Sequence, residues 1–290
     1  MTAAERRSTV RSRGADLAVF EYGPPPTAEN PALLLVHGYP DDHHVFDAVV
    51  EALAADRHVI TYDTRNAGAS RVDTEETASY RLDLLVEDLY AVLDATGAGS
   101  VHLAAHDWGS IQGWAALQDP RAEERILSYT SVSGPDLGHV RNWLASRVRT
   151  PLRWPQALEQ VLRSSYVAAF QLPAVPEAAW KYVLTPRYEK RSGRSIGDNA
   201  IRGLQLYRAN MLSGSTPPMG TYAGPVQVIV PLEDPFISPL LASGLKDRFP
   251  NVEVVAVDAG HWFPEDNSAE FARLLDRWIR SHPDRRTSTS

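Results

Sequence analysis

Cysteine is absent from the 290 residues. That excludes disulfides, a thiol nucleophile and any thiolate metal site. No apolar run approaches the roughly 18 residues needed to span a bilayer. The Arg-rich start, Met1 to Arg13, lacks the apolar centre of a secretory leader. A basic excess is lacking too: 29 Lys and Arg stand against 36 Asp and Glu, a net charge of −7. This argues against non-specific nucleic-acid binding and against a polybasic membrane anchor. Internal repeats and low-complexity stretches are also missing. The expectation is a cytoplasmic protein with no nucleic-acid partner and no membrane span, its oligomeric state open.

What is present is an ordinary globular composition, 43% hydrophobic and 22% charged. The length suits one large domain or a domain with an insertion. Residues 1–16 read as a polar lead-in, and 17–22 as a short strand ended by Gly23-Pro24-Pro25-Pro26. Residues 32–37 are continuously apolar, the mark of a strand buried on both faces. A helix over 43–56, a strand over 58–63 and a turn over 65–70 follow. Over 80–95, Leu82, Leu85, Val86, Leu89, Val92 and Leu93 recur at three- and four-residue steps, which predicts a helix. A strand over 101–105, a helix to about Asp119-Pro120 and a strand over 126–133 complete this half. The alternation predicts an α/β fold, a mostly parallel central sheet flanked by helices.

At Gly134-Pro135 the rhythm breaks. Residues 135–217 show no buried strand, only helical pieces separated by prolines and ending in the breaker cluster Ser213-Gly214-Ser215-Thr216-Pro217-Pro218. This predicts a helical cap at 135–217 inserted into a core made of 1–134 and 218–290. Alternation then resumes, with strands over 226–230 and 252–257, helices over 238–248 and 268–280, and a frayed polar tail over 283–290.

The chain turns on His106-Asp107-Trp108. An apolar strand precedes Asp107 and a helical pattern follows from about Gly109, with small Ala105 and Gly109 two residues to either side. This is the spacing of a nucleophile elbow, a strained strand-to-helix turn that lifts one side chain above a sheet. The usual centre is serine, which needs a base to become nucleophilic. An aspartate is already an anion at neutral pH. It attacks sp3 carbon in a strained ring, or carbon bearing a leaving group, and leaves an ester that water can cleave. The alternative for Asp107 is a helix cap.

In this architecture the acid and then the histidine follow the nucleophile. Asp234, after the strand at 226–230, and His261, after the last strand, occupy those places. His261 would take a proton from water while Asp234 orients its ring. Glu233 and Asp136 are other candidates for the acid, and Asp258 reads as a loop residue. His37-Gly38-Tyr39-Pro40 lies where half of an oxyanion hole belongs, so the amides of Tyr39 and Trp108 are expected to face Asp107. The Tyr39–Pro40 bond is a candidate cis peptide. His43 and His44 beside Asp41 and Asp42 read as no metal site, because consecutive residues at a helix start do not converge on one ion. The acids there read as helix N-terminal charge. No metal and no cofactor are expected.

These residues resemble the α/β-hydrolase superfamily, and within it the epoxide hydrolase branch. The motifs are His37-Gly38-Tyr39-Pro40, His106-Asp107-Trp108-Gly109, Asp63-Thr64-Arg65-Asn66-Ala67-Gly68-Ala69-Ser70 and Gly260-His261-Trp262, and the likeness covers about 15 to 282. Ala105 and Asn66 stand where the branch usually has Gly, and Asn tolerates positive φ. Ser131-Val132-Ser133-Gly134-Pro135 and Trp108-Gly109-Ser110-Ile111-Gln112-Gly113-Trp114 are similar to the hydrolase half of actinobacterial hydrolase–short-chain reductase fusion proteins. No reductase follows here, which leaves a free-standing relative or an excised domain.

The resemblance implies two cap tyrosines that bond the epoxide oxygen, and the matching segments carry Tyr166 and Tyr207. A phenol protonates the alkoxide released by ring opening better than water does. The cap aromatics Trp143, Trp154, Trp180 and Phe170 read as core or pocket wall, and Tyr182, Tyr188 and Tyr222 have no assigned role. The expected function is opening of an apolar small-molecule epoxide to a vicinal diol. Alternatives are a haloalkane-type dehalogenase, a natural-product cyclase or isomerase, and a non-catalytic binding protein. Against dehalogenation, Tyr39 replaces the halide-binding Asn after His-Gly, and Gly109-Ser110-Ile111-Gln112 lacks the arginines of fluoroacetate-type enzymes.

Overall fold

In the computed structural model, which describes residues 5–211 and 222–284, the Arg-rich start is a strand and not a lead-in. This strand, β1 (Arg6–Ser12), pairs antiparallel with β2 (Ala15–Tyr22), from Arg6 opposite Glu21 to Ser12 opposite Ala15. Only Val10 and Ser12 of β1 are buried, so the apolar alternation that reveals a strand is missing. Charged side chains suit an edge that must not pair with another chain.

The other strands are β3 (Ala32–Val36), β4 (Val59–Tyr62), β5 (Arg71–Val72), β6 (Val101–His106), β7 (Ile126–Val132), β8 (Val226–Pro231) and β9 (Val252–Val257). They form one sheet in the order β1-β2-β4-β3-β6-β7-β8-β9, with β5 on β2. Every pair from β4 to β9 is parallel. Helices α1 (Asp47–Leu53), α2 (Leu82–Ala95), α3 (Trp108–Ala116) and α4 (Ala122–Arg125) fall among the first seven strands. Between β7 and β8 come α5 (Leu137–Val148), α6 (Trp154–Arg163), α7 (Ser165–Ala169), α8 (Val175–Ala179), α9 (Thr185–Ser192) and α10 (Asn199–Asn210). After β9 lie α11 (Phe263–Asp266) and α12 (Ser268–Ser281).

Successive strand residues point to opposite faces. Leu34 and Val36 of β3 therefore join Leu103 and Ala105 against α2 and α3, while Leu33 and Leu35 join Ala104 against α1 and α12. A third cluster, largely aromatic, lies between the sheet and the inserted helices. Tyr39, Tyr80 and Trp108 meet Trp180, Tyr188, Leu204 and Tyr207 there.

The helix expected over 43–56 is a 3-10 turn at His43–Phe46 followed by α1. The helix expected over 238–248 is two 3-10 turns, Pro239–Ala242 and Leu245–Asp247. Leu241, Leu245 and Phe249 are buried at four-residue spacing and so mimic a helix. Gly244, at φ +83, breaks the run. The breaker cluster at 213–218 and the end of the tail, 285–290, lie outside the described residues. Among the described residues no helix is long and apolar enough to cross a membrane.

The turn after β4 ties this scaffold together. Arg65 and Asp88, both buried, form a two-point ion pair at 2.6 and 2.9 Å. Asn66 takes φ +60, as its place in the motif requires. The Gly68 amide donates to Asn199 Oδ1 of α10 at 3.0 Å, reaching from the sheet to the inserted helices.

Candidate active site

Asp107 sits between β6 and α3 at φ +52, ψ −120, a strained conformation for a residue with a Cβ. Backbone bonds hold it there: its amide donates to Val132 O at 3.0 Å, and its carbonyl accepts from Ile111 N at 3.0 Å. Gly109 is required, since a Cβ would lie 2.3 Å from Val36 O. Gly38 is required as well, since its Cβ would lie 2.5 Å from Asp107 Oδ1.

The Asp107 carboxylate makes no cap bond to α3. Instead Oδ1 accepts the Tyr39 amide at 2.7 Å. His37 fixes that loop, donating from Nδ1 to Gly38 O at 2.9 Å and accepting Thr64 N–H at Nε2, also at 2.9 Å. The Tyr39–Pro40 peptide is cis. Trp108 is the first residue of α3, next to the carboxylate, and no hydrogen bond from its amide to Asp107 is among those found in the described residues.

Opposite stands His261, with Nε2 3.6 Å from Asp107 Oδ2 and Nδ1 2.9 Å from Asp234 Oδ2. The first distance is an ion-pair contact and exceeds a hydrogen bond. Asp234 Oδ1 is pinned by the amides of Phe236 at 2.8 Å and Ile237 at 3.1 Å. Asp136, the other candidate acid, is engaged elsewhere. It caps α5 by accepting His139 N–H, and it pairs with Arg248 at 3.3 Å. His106 Nε2–H donates to His261 O at 2.9 Å, so the residue before Asp107 anchors the histidine loop. Burial pushes the His106 ring below its ordinary range, consistent with a neutral donor there.

Burial pulls the His261 imidazole down, but the Asp107 and Asp234 carboxylates outweigh it and hold the ring at about 9. Asp234 is likewise disfavoured as an anion by burial, but its bond to His261, the charge of that ring and the bonds from the Phe236 amide and Ser133 together outweigh this, so it titrates lower than usual. His261 thus binds its proton more tightly folded than unfolded, where it titrates near 6.5. The stability this adds is complete below about pH 6.5 and is lost as pH rises through about 9. Urea unfolding at pH 6 and pH 9.5 is expected to show the loss, and His261→Gln is expected to flatten it.

A cavity of about 390 Å³ opens above this group, lined by Asp107 and His261 from below and by Tyr166 and Tyr207 from the inserted helices. The two tyrosine rings meet edge to face at 5.8 Å between centroids, and Tyr207 makes the same contact with Trp108 at 5.0 Å. Burial, followed by the charge of Asp107, raises the Tyr166 hydroxyl well above its ordinary range. Burial does the same for Tyr207, with Tyr166 and Asp107 adding to it. Both stay protonated donors. Phe170, Trp180, Phe236 and Trp262 supply apolar wall. Of the other tryptophans on the inserted helices, Trp143 is buried and bonded to Leu240 O, whereas Trp154 lies exposed on the outside.

Sequence reasoning missed the clamp beside this cavity. The fully buried Asp41 carboxylate accepts from Tyr188 Oη, from Arg194 at 2.7 Å and from Trp262 Nε1 at 3.1 Å. Arg191 stacks on Trp262 and pairs with Glu265 at 2.7 Å and Asp266 at 3.0 Å. Asp41 therefore ties the inserted helices to the loop after β3 and is not helix N-terminal charge. Nothing local signals this, because Tyr188 and Asp41 lie 147 residues apart. Asp42, His43 and His44 come closer than their spacing suggested, with possible ligand atoms within 4.8 Å of one another. One atom of each is already engaged: His43 Nδ1 with Asp63 at 2.7 Å, His44 Nδ1 with Asp47 at 3.0 Å, and Asp42 Oδ1 with the His44 amide.

A family model described as alpha/beta hydrolase fold matches residues 31–268. The chain is 32% identical over 272 residues to "Probable oxidoreductase EphD" of Mycobacterium tuberculosis, covering 87% of this chain and 45% of that protein. It therefore spans about half the length of that relative. It is 25% identical over 280 residues to "Epoxide hydrolase 4" of Homo sapiens, covering 86% of this chain and 72% of that one. Among solved structures, an epoxide hydrolase from Bacillus megaterium in complex with an inhibitor superposes with a TM-score of 0.76 at 22% identity, covering 94% of this chain and all of the other.

Proposed function

This chain belongs to the α/β-hydrolase fold family, and from that premise we propose that it is an epoxide hydrolase, opening an epoxide to a vicinal diol through an ester on Asp107. The reading rests on one observation: a carboxylate, an imidazole and two protonated phenols line a single, mainly apolar cavity. The epoxide hydrolase names among its relatives support the same class. In the proposed architecture residues 135–217 are the cap over a core of 1–134 and 218–290.

In the first step an Asp107 oxygen forms a bond to a ring carbon as that carbon's bond to the epoxide oxygen breaks. Tyr166 and Tyr207 donate to this oxygen and supply the proton that makes it a hydroxyl. The new ester has no charge on Asp107, so one of the two carboxylates that raise His261 is gone. The imidazole then sheds its proton more readily, returning it to the phenolate left by ring opening, and becomes a base. His261 takes a proton from water as its oxygen joins the ester carbonyl. The oxyanion is held by the Tyr39 amide, with the Trp108 amide as the second donor. Collapse breaks the acyl–oxygen bond, the diol leaves with the proton from His261, and the acid proton left on Asp107 then passes to His261 and restores the resting charges.

One oxygen of water ends in Asp107 and one original Asp107 oxygen leaves in the diol. A single turnover in heavy-oxygen water is therefore expected to give unlabelled diol and a labelled Asp107 peptide. An unlabelled carboxylate rules out the ester route, and a product without added water points instead to cyclisation. The double variant Tyr166→Phe/Tyr207→Phe removes both proton donors. It is expected to slow ring opening by about 10²- to 10⁴-fold, read as the rate of ester formation, while apolar ligand binding is kept.

A further inference from the structure

Helix α6 is turned inside out. Its inward face carries Ala157 and Gln160, and Gln160 bonds Phe236 O and the Ser238 amide. Trp154, Leu158, Val161 and Leu162, at steps of four, seven and eight residues, form one stripe that faces solvent. Leu158 and Leu162 are 58% and 63% exposed, and Leu152, just before the helix, is 94% exposed. A helix on a folded domain normally turns such a stripe to the core, and a contiguous exposed apolar patch marks an interaction surface.

Charge names the partner. Residues 141–163 hold five arginines and one acid, Glu159, in a chain of net charge −7. Glu159 is already paired with Arg163 at 3.0 Å. Arg149 and Arg153 are exposed beside the stripe, and no partner is found for either among the described residues. Arg153 and Arg147 line one open groove, shared with Ser243 and the acid Asp247. Within it Arg147 donates to Ser243 Oγ at 2.9 Å and keeps a buried Nε without a partner. The negative total therefore hides a local cationic and apolar surface. A two-fold contact with a second copy would gather these arginines about its axis, with Asp247 the one acid of the groove to set against them. Aromatic and aliphatic residues rimmed by arginines match the boundary of an anionic lipid surface.

We propose that the outer face of α6, with Arg149 and Arg153, is a docking surface for anionic phospholipid membranes. The chain lies on the bilayer by this face and spans nothing. Because α6 runs into α7, which carries Tyr166, the docked face adjoins one wall of the cavity. The binding claim does not rest on the epoxide reading, since it is measured without turnover.

The test is co-sedimentation of the full chain with vesicles of phosphatidylcholine alone, or with roughly a third phosphatidylglycerol. Binding is expected to the anionic vesicles and to weaken as salt rises. Arg149→Glu/Arg153→Glu and, separately, Leu158→Ser/Leu162→Ser are each expected to lower the bound fraction by about tenfold or more, with the unfolding midpoint kept. Absence of binding by the unmodified chain, or equal binding by either variant, overturns the proposal. So does a dimer in sedimentation velocity that Leu158→Ser/Leu162→Ser dissolves, which assigns the face to a second copy.

Discussion

Asp107→Asn is expected to lower steady-state epoxide opening by at least about 10⁴-fold. The substitution keeps the size of the side chain and tolerates the positive φ of +52 better than most residues. Its amide oxygen still accepts from the Tyr39 amide, which lies 2.7 Å from Oδ1 in the parent. What is lost is the negative charge that attacks carbon, so folding and ligand binding are expected to persist while chemistry stops. Initial rates on fresh protein, read beside the unfolding midpoint and inhibitor affinity, separate these effects. A variant within tenfold of the parent rate would mean that water attacks the ring directly and that no ester forms. The same variant leaves His261 with one anionic neighbour, so its imidazole is expected to titrate below about 9 in an NMR titration.

His261→Gln is expected to break the cycle at the other step. In the proposed route ring opening needs the Asp107 anion and the phenols, whereas ester cleavage needs a base for water. Turnover is then expected to fall by about 10⁴-fold or more, with one equivalent of epoxide consumed in a burst. The intact chain should gain the mass of one substrate, located on the peptide with Asp107. Wild-type His261 is held in place from three sides: Asp234 on Nδ1 at 2.9 Å, and His106 and Ser133 on its carbonyl at 2.9 and 3.2 Å. If His261→Gln loses turnover without accumulating the ester, the histidine serves the first step instead. The two variants therefore give opposite signatures, one with no covalent species and the other with nothing beyond it.

The elbow was legible because its requirements are local. A buried β6, a carboxylate and small residues on either side specify a tight turn, and Gly109 shows why a larger side chain has no room. The chain order of Asp107, Asp234 and His261 was legible because parallel strands deliver the ends of β6, β8 and β9 to one edge of the sheet. Asp234 was favoured as the acid from chain order, but Asp136 stayed an alternative, since both follow strands. Geometry separates them: Asp136 points to Arg248 and the start of α5, and Asp234 points to His261. β1 escaped because an edge strand buries little and has no apolar rhythm. The region after β8 misled because Leu241, Leu245 and Phe249 copy a helical period that Pro239 and Gly244 interrupt.

By itself the sequence determined the α/β-hydrolase architecture and a carboxylate at the elbow, because periodicity and tight turns depend on residues within a few positions of one another. Only the tertiary structure decided what surrounds that carboxylate. The Asp41–Tyr188 contact joins positions 147 residues apart, the Tyr166 and Tyr207 rings meet across two helices, and α6 turns its apolar stripe outward. Each depends on how a helix is rotated against the sheet, which is set by the sum of many weak packing contacts and written in no single local pattern.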